Sequence, residues 1–320
     1  MMKITNSIKN QPTLGLFIGV MAISSASILI RFAQEDTPSI VIAAYRLLFA
    51  SLLLFPFASK NLVQESKSVS KAHLSLLALA GLFLALHFAA WIKSLELTSI
   101  PSSVVLVTTT PLWVALLSPL ILKEKITYQV WFGMILAIVG SILIVGKNFC
   151  SFENQVLVCN DIKTYALNNS LIGNLLALLG AWMAAGYMMI GRKVRPYLSL
   201  SSYTLAVYGI AAFFLLILVF ILREPLIGYP LKSYGWMLLL AIVPQLIGHS
   251  SYNWALRYLP AAYVSIALLG EPIGTVILAY FFLGESPKTF ELIGGGFILI
   301  GIFWTTRLKR KTKREKQSPI

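Results

Sequence analysis

The chain has 320 residues, of which 58% are hydrophobic and 12% charged, with a formal net charge of +14. A soluble domain carries about 25% charged residues, so this composition leaves too little polar surface to coat a soluble particle and points to a multi-spanning membrane protein. Seven of the 26 Lys and Arg lie in the final stretch TTRLKRKTKREKQSPI, and a basic tail directly after an apolar run reads as a cytoplasmic anchor drawn to anionic lipid headgroups, not as a nucleic-acid binder.

After the polar segment MMKITNSIKNQPT, an apolar run extends from Leu14 to Phe32 with no polar cleavage region, as a retained first span would. A helix needs about 20 apolar residues to cross the hydrocarbon core. On that basis spans are expected at 14–32, 39–58, 74–95, 100–122, 127–146, 171–191, 200–222, 235–256, 261–283 and 289–306. The expected fold is therefore an all-α integral membrane protein of ten transmembrane helices. Short connections such as EDTPS and GESPK favour antiparallel neighbours. Longer loops are expected at SKNLVQESKSVSK, near residue 65, and from Lys147 to Asn169. With both termini cytoplasmic, 18 Lys and Arg fall on the inner side and 7 on the outer, or 11 against 7 without the tail, which follows the positive-inside bias. That orientation puts Cys150 and Cys159 in one outer loop, where a disulfide and two free thiols are both compatible with the sequence.

The chain repeats itself. At a constant offset of 161, Leu95 meets Leu256, Pro111 meets Pro272, Leu117 meets Leu278, Leu122 meets Leu283, Glu124 meets Glu285, Gly133 meets Gly294 and Gly140 meets Gly301. Leucines match by chance in apolar segments; the proline, the span-end glutamate and the two glycines in one register are harder to dismiss. At an offset of 158, Gly15 and Tyr45 fall over Gly173 and Tyr203. Halves of five spans each would enter the membrane from opposite sides, an inverted repeat that secondary transporters use to place a substrate site near the midplane. The expected organisation is a first five-helix repeat over 1–146, an outer loop over 147–170, a second repeat over 171–306 and a basic tail over 307–320.

The stretches AAYRLLFASLLLFP, TTTPLWVALLSPLILKEK, LLGEPIGTVILAYFFLGES and ELIGGGFILIG, in that order, resemble the EamA-type transporters of the drug/metabolite transporter superfamily. The resemblance covers nearly the whole chain. It implies a carrier for a small metabolite or drug-like solute working by alternating access. The family's exporters and importers handle amino acids, nucleobases, sugars and cationic drugs, and the resemblance does not choose among them. Two departures stand out: the first half has Thr110 where the second has Glu271, and the long loop carries the two cysteines.

Glu271 is an acid in mid-span beside Pro272. A charge at the bilayer centre costs at least about 2.5–3.5 kcal/mol, so it should face the bundle interior or a wet cavity. Pro272, like Pro111, breaks a helical hydrogen bond and frees a carbonyl one turn back. Arg46, inside span two, is the nominated partner: it lies roughly 10 Å from the outer end against roughly 18 Å for Glu271, at 1.5 Å per residue. A gate or substrate clamp and a static polar staple are equally good readings of such a pair. His87 and His249, in spans three and eight, are candidates for proton handling, and a histidine simply bonded within the bundle is the plainer alternative. Asn174, Gln245, Ser250 and Asn253 suit a cavity or helix–helix contacts. Trp182 and Tyr187, within span six, are favoured as cavity walls over Tyr45, Trp91 and Tyr252, which read as interface anchors. Gly180, Gly186, GGG at 294–296 and Gly301 read as close-packing positions.

An intramembrane enzyme is the opposing class. The sequence has no HExxH, GHSSY at 248–252 lacks the closing glycine of a nucleophile elbow, and there are only three His. No ATP-binding loop of the GxxxxGK[ST] kind is present. The expectation is a non-enzymatic carrier without cofactor or metal, with a small-molecule solute and membrane lipids as partners, no nucleic acid, and a homodimer left open. A structural or lipid-handling membrane protein is the alternative.

Overall fold

The structure, a computed structural model, describes residues 12–98, 100–146, 150–153, 156–159, 170–283, 292–301 and 303–304. The first segment folds as α1 (Pro12–Ser24), α2 (Ala26–Ala33), α3 (Ser39–Ser68), α4 (Lys71–Leu97), α5 (Ile100–Val107), α6 (Thr110–Ile121) and α7 (Tyr128–Gly146). The second comprises α8 (Ser170–Val194), α9 (Leu200–Ile221), α10 (Leu231–Leu240), a π-helical stretch (Ala241–His249), α11 (Ser250–Ala255), α12 (Ala261–Ala267), a 3₁₀ turn (Leu268–Gly270), α13 (Glu271–Leu283) and α14 (Leu292–Gly301). Pro38, Pro230 and Pro260 stand immediately before α3, α10 and α12, where a missing N–H leaves no intrahelical bond unmade.

Among the described residues seven helices are long and apolar enough to cross a membrane, and three shorter apolar helices accompany them. Large side chains such as Phe57, Phe220 and Phe281 lie fully out on the surface, as expected where the surroundings are hydrocarbon and not water. The chain is a multi-pass membrane protein.

Two expectations about the loops change. The loop expected near residue 65 is helix: α3 continues to Ser68, and only Val69 and Ser70 separate it from α4. Ser70 caps α4, its hydroxyl accepting from the His73 N–H at 3.4 Å, so the chain turns within two residues. Between α7 and α8 the fold is not purely helical. Strands β1 (Cys150–Glu153) and β2 (Val156–Cys159) pair antiparallel, with Cys150 the register partner of Cys159. The basic tail and Glu285 lie outside the described residues.

Packing follows the sequence repeat. Helix α4 packs along α8, and the π stretch with α11, which falls over α4 at the 161 offset, packs along α1. In the same way α5 and α6 contact α8 while α13 contacts α1. The glycines mark these crossings. A Cβ on Gly19 would lie 2.8 Å from Ser251 Cβ and 3.2 Å from Gly248 O; one on Gly180, 161 residues later, would lie 3.4 Å from Trp91 Cβ and 3.5 Å from His87 O. The reciprocity is sharpest between α7 and α14: Gly140 abuts the Gly294 carbonyl and Gly301 abuts the Gly133 carbonyl. A residue late in α7 thus meets one early in α14 and the reverse, so these two sequence-related helices run antiparallel along their contact.

The candidate site at the paired helix breaks

The two repeat-related helices that carry Pro111 and Pro272 are each interrupted there. Helix α5 ends at Val107 and α6 begins at Thr110, with Pro111 in its first turn; α12 ends at Ala267, and α13 begins at Glu271, followed by Pro272. A proline cannot donate to the carbonyl four residues back, so each break leaves an acceptor to satisfy. Thr110 Oγ1 donates to Val107 O at 2.7 Å, and the Glu271 N–H closes the 3₁₀ turn onto Leu268 O. The side chains at the two breaks then part company. The Thr110 hydroxyl is spent on Val107 O, with Ala181 O at 3.4 Å, whereas Glu271 Oε1 is buried without a hydrogen-bond partner.

A cavity of about 60 Å³ opens between the breaks, room for a handful of waters at about 10–15 Å³ each. Its walls come from both segments: His87, Trp91, Thr110 and Pro111 from the first, and His249, Tyr252, Ser265 and Glu271 from the second. Sequence reasoning placed His87, Pro111, His249 and the neighbours Glu271 and Pro272 on four different spans; the fold gathers all but Pro272 around this one cavity, and Pro272 is buried next to Glu271. The two imidazole centroids are 6.4 Å apart. His87 Nδ1 faces Gly180 O at 2.9 Å; a carbonyl can only accept, so Nδ1 carries a proton, and in the neutral ring Nε2 is the acceptor. His249 Nδ1 bonds the Tyr252 hydroxyl at 2.5 Å.

The expected direct Arg46–Glu271 pair is not made. Arg46 is wholly buried, its Nε donates to Gln245 Oε1 at 2.9 Å, and its guanidinium stacks 4.1 Å over the Phe88 ring. Both Nη1 and Nη2 lack a partner. Gln245, which projects from the π-helical stretch, holds the Nε edge of Arg46 instead. Tyr187 and Asn253 join each other behind the cavity: Asn253 Nδ2 donates to the Tyr187 hydroxyl at 2.6 Å and to His249 O at 2.8 Å. Asn174 bonds Thr98 at the far end of α8, and Ser250 bonds Tyr208.

Trp182 does not line this cavity. It is 50% exposed on the outer surface, edge-on to Trp113 with centroids 4.9 Å apart. Instead Trp91 and Tyr252, read as interface anchors, line the cavity. The signal that finds them is spacing. Trp91 follows His87 by four and Tyr252 follows His249 by three, which puts each on its histidine's helix face.

Sequence reasoning also passed over a polar knot at one end of the bundle. Glu124, just past α6 and after Lys123 in a left-handed turn (φ 55°), accepts from Arg192 Nε at 2.7 Å and from the Ala261 N–H at 3.2 Å. Arg192 also donates to Leu256 O at 2.9 Å. Nearby, Arg195 is buried and donates to Asn253 O at 3.0 Å and to Leu198 O. At the opposite end a wider recess of about 580 Å³ is lined by Gln34, Asp36, Thr37, Lys93, Glu96 and Glu224. Ala89, Lys93 and Glu96 put it on a different face of α4 from the central cavity.

Comparison with known proteins agrees with this architecture. The family described as "EamA-like transporter family" matches residues 12–146 and 171–307. An "uncharacterized transporter" of Archaeoglobus fulgidus is 26% identical over 87% of this chain and 91% of its own length. The "uncharacterized transporter YyaM" of Bacillus subtilis is 25% identical over 84% of each chain. The "pseudopaline exporter CntI" of Pseudomonas aeruginosa is 21% identical over 92% of this chain and 97% of its own. A crystal structure superposes with a TM-score of 0.71 at 16% identity, covering 94% of this chain and 98% of that one, which speaks to the fold.

Proposed function

Because the chain belongs to the EamA-like transporter family, we propose that it is a secondary carrier, not an enzyme, moving a small solute by alternating access through a central site between two inverted five-helix halves. The carrying observation is the cavity itself. It sits where two sequence-related helices are broken, draws its walls from both segments, and holds an acid with an open oxygen. Broken helices facing each other at a repeat interface are what secondary transporters use to expose polar groups within the membrane. The antiparallel contact of Gly140 with Gly294 and Gly301 with Gly133 supports halves of opposite direction. So does the crosswise packing of α4 on α8 and of the π stretch on α1. Ten spans, with the three short apolar helices counted, and both termini in the cytoplasm at the cell membrane complete the proposal.

At about 60 Å³ the cavity is far below the roughly 300–1,000 Å³ of a ligand pocket, and the Glu124–Arg192 knot ties α6, α8 and the start of α12 at one end. The conformation corresponds to a closed one, which must widen to admit cargo. Uptake of labelled amino acids, nucleosides and cationic dyes into proteoliposomes tests the proposal. Saturable accumulation of at least one solute is expected. Lipid scrambling with no solute movement would replace the carrier with a lipid-handling protein.

A further inference from the structure

We propose that the wide recess at the end of the bundle away from the Glu124–Arg192 knot binds a primary ammonium group carried on an apolar stem. It lies on a different face of α4 from the central cavity, so it stands whether or not that cavity carries a solute. The turn leading into α3, the end of α4 and the end of α9 meet there. At about 580 Å³ the recess falls within the roughly 300–1,000 Å³ of a ligand pocket.

Its polar groups divide into those already held and those left open. Gln34 Nε2 donates to Ile92 O and to Ser39 Oγ, each at 2.9 Å. A carbonyl only accepts, which fixes the orientation of the amide, and its Oε1 is buried without a partner. Thr37, 4% exposed, also has its hydroxyl buried and unpartnered. Of the carboxylates, Glu96 is closed by Lys93 at 2.6 Å and by the Ser39 hydroxyl at 2.7 Å, and Asp36 by Lys232 at 2.8 Å. The Glu224 carboxylate makes no ion pair or hydrogen bond among the described residues. What the recess leaves open is an amide oxygen, a hydroxyl and a carboxylate.

Such a set calls for a hydrogen-bond donor that carries positive charge, because a buried oxygen left unmade is costly. Among the described residues no three His, Cys, Asp or Glu come together as metal ligands, which turns the choice from a metal ion to an organic cation. A primary ammonium brings three N–H donors; a quaternary one brings the charge and no donor. The stem follows from the depth of the recess. Ala89 and Leu218 precede Lys93 and Leu222 by four residues, one turn or about 6 Å further into the bundle, so a polar rim stands over an apolar floor. Leu222 is on the wall and 58% exposed beside Phe220 and Ile221, so the wall reaches the hydrocarbon-facing surface. A soluble alkylamine and the head of an aminophospholipid share this chemistry.

The test uses two matched pairs: hexylamine against hexyltrimethylammonium, and dihexanoyl phosphatidylethanolamine against dihexanoyl phosphatidylcholine. Each is titrated by thermal shift on purified full-length protein in a neutral detergent. In at least one pair the primary ammonium is expected to half-saturate at a concentration at least about tenfold lower, since a site built on hydrogen bonds rejects the analogue without the donor. Glu224→Gln and Thr37→Val should each shrink that ratio. Neither side chain is bonded in the free protein, so both variants should unfold at the parent's temperature when no ligand is added. A preference in the alkylamine pair identifies a soluble amine, one confined to the lipid pair identifies the bilayer's own headgroups, and either upholds the site. Equal half-saturation within both pairs overturns it, as does no binding in either pair or a preference that survives both substitutions.

Discussion

Replacing Gly274 with alanine tests how tightly α13 is set against α1. The added Cβ would lie 2.6 Å from Ser24 Cβ and nearer still to Ser24 Oγ. Ordinary contact begins near 3.4 Å, so α1 must retreat by about 0.8 Å even with the Ser24 hydroxyl turned away, and by about 1.3 Å with it in place. Turning it away breaks its bonds to Val20 O at 2.8 Å and to Glu271 O at 3.2 Å. Overpacking of this kind costs about 1–3 kcal/mol, or about 1.5–4.5 °C in unfolding temperature at about 2.1 cal/mol/K of unfolding entropy per residue over 320 residues. The shift is read by thermal unfolding of detergent-purified protein. Because the collision is with one side chain, it has a reciprocal cure. The Ser24→Gly, Gly274→Ala double variant moves the methyl from one helix to the other and should recover most of the loss. A neutral Gly274→Ala, or a double variant as unstable as the sum of the singles, would refute a close α1–α13 crossing and with it the placement of Glu271 against α1.

Other outcomes follow from single contacts. Thr110→Val strips the donor from Val107 O at the first break and should destabilise by about 1–3 kcal/mol, the cost of a buried polar group left unmade, measured as a lower unfolding temperature against Thr110→Ser. Glu124→Ala should loosen the knot by about 1–2 kcal/mol. Exchanging the charges, Glu124→Lys with Arg192→Glu, should restore only part of it, because the Ala261 N–H then faces a cation. Cys150 and Cys159 are register partners in an antiparallel pair, which sets their Cα atoms about 4.5–5.5 Å apart, within the span of a disulfide. In protein purified from an oxidising compartment, alkylation should label them only after reduction.

The breaks were legible because proline acts locally: Pro111 and Pro272 each remove one donor, and the chain responds within a turn. The internal register was legible for a similar reason. Gly140 and Gly301 each lie so close to a backbone carbonyl, that of Gly294 and that of Gly133, that a Cβ would collide with it. The side of each helix that faces protein was much less so. In water an apolar stripe marks the buried face, but against lipid the outer face is equally apolar, so Trp182 on the surface and Trp91 in the cavity read alike. Sidedness becomes readable only where a polar residue shares the face, as His87 does for Trp91. The Arg46–Gln245 bond was hidden for another reason. It depends on a π-helical stretch beside Pro244, whose extra residue per turn re-aims the side chains that follow, and counting at regular α pitch cannot anticipate it. The helical extension of α3 to Ser68 was masked by charge, since Lys60, Glu65 and Lys67 look like loop residues yet are good helix formers.

The seam between α7 and α14 has a mechanical corollary. Glycine meets carbonyl twice there, and exchanging the two helices turns each contact into the other. For the alternating-access carrier proposed above, an arrangement unchanged by that exchange lends no weight to either of two opposite tilts of the bundle. Whatever bias sets the resting posture has to come from where the likeness fails, at Thr110 against Glu271 and at the wound-out turn around Pro244.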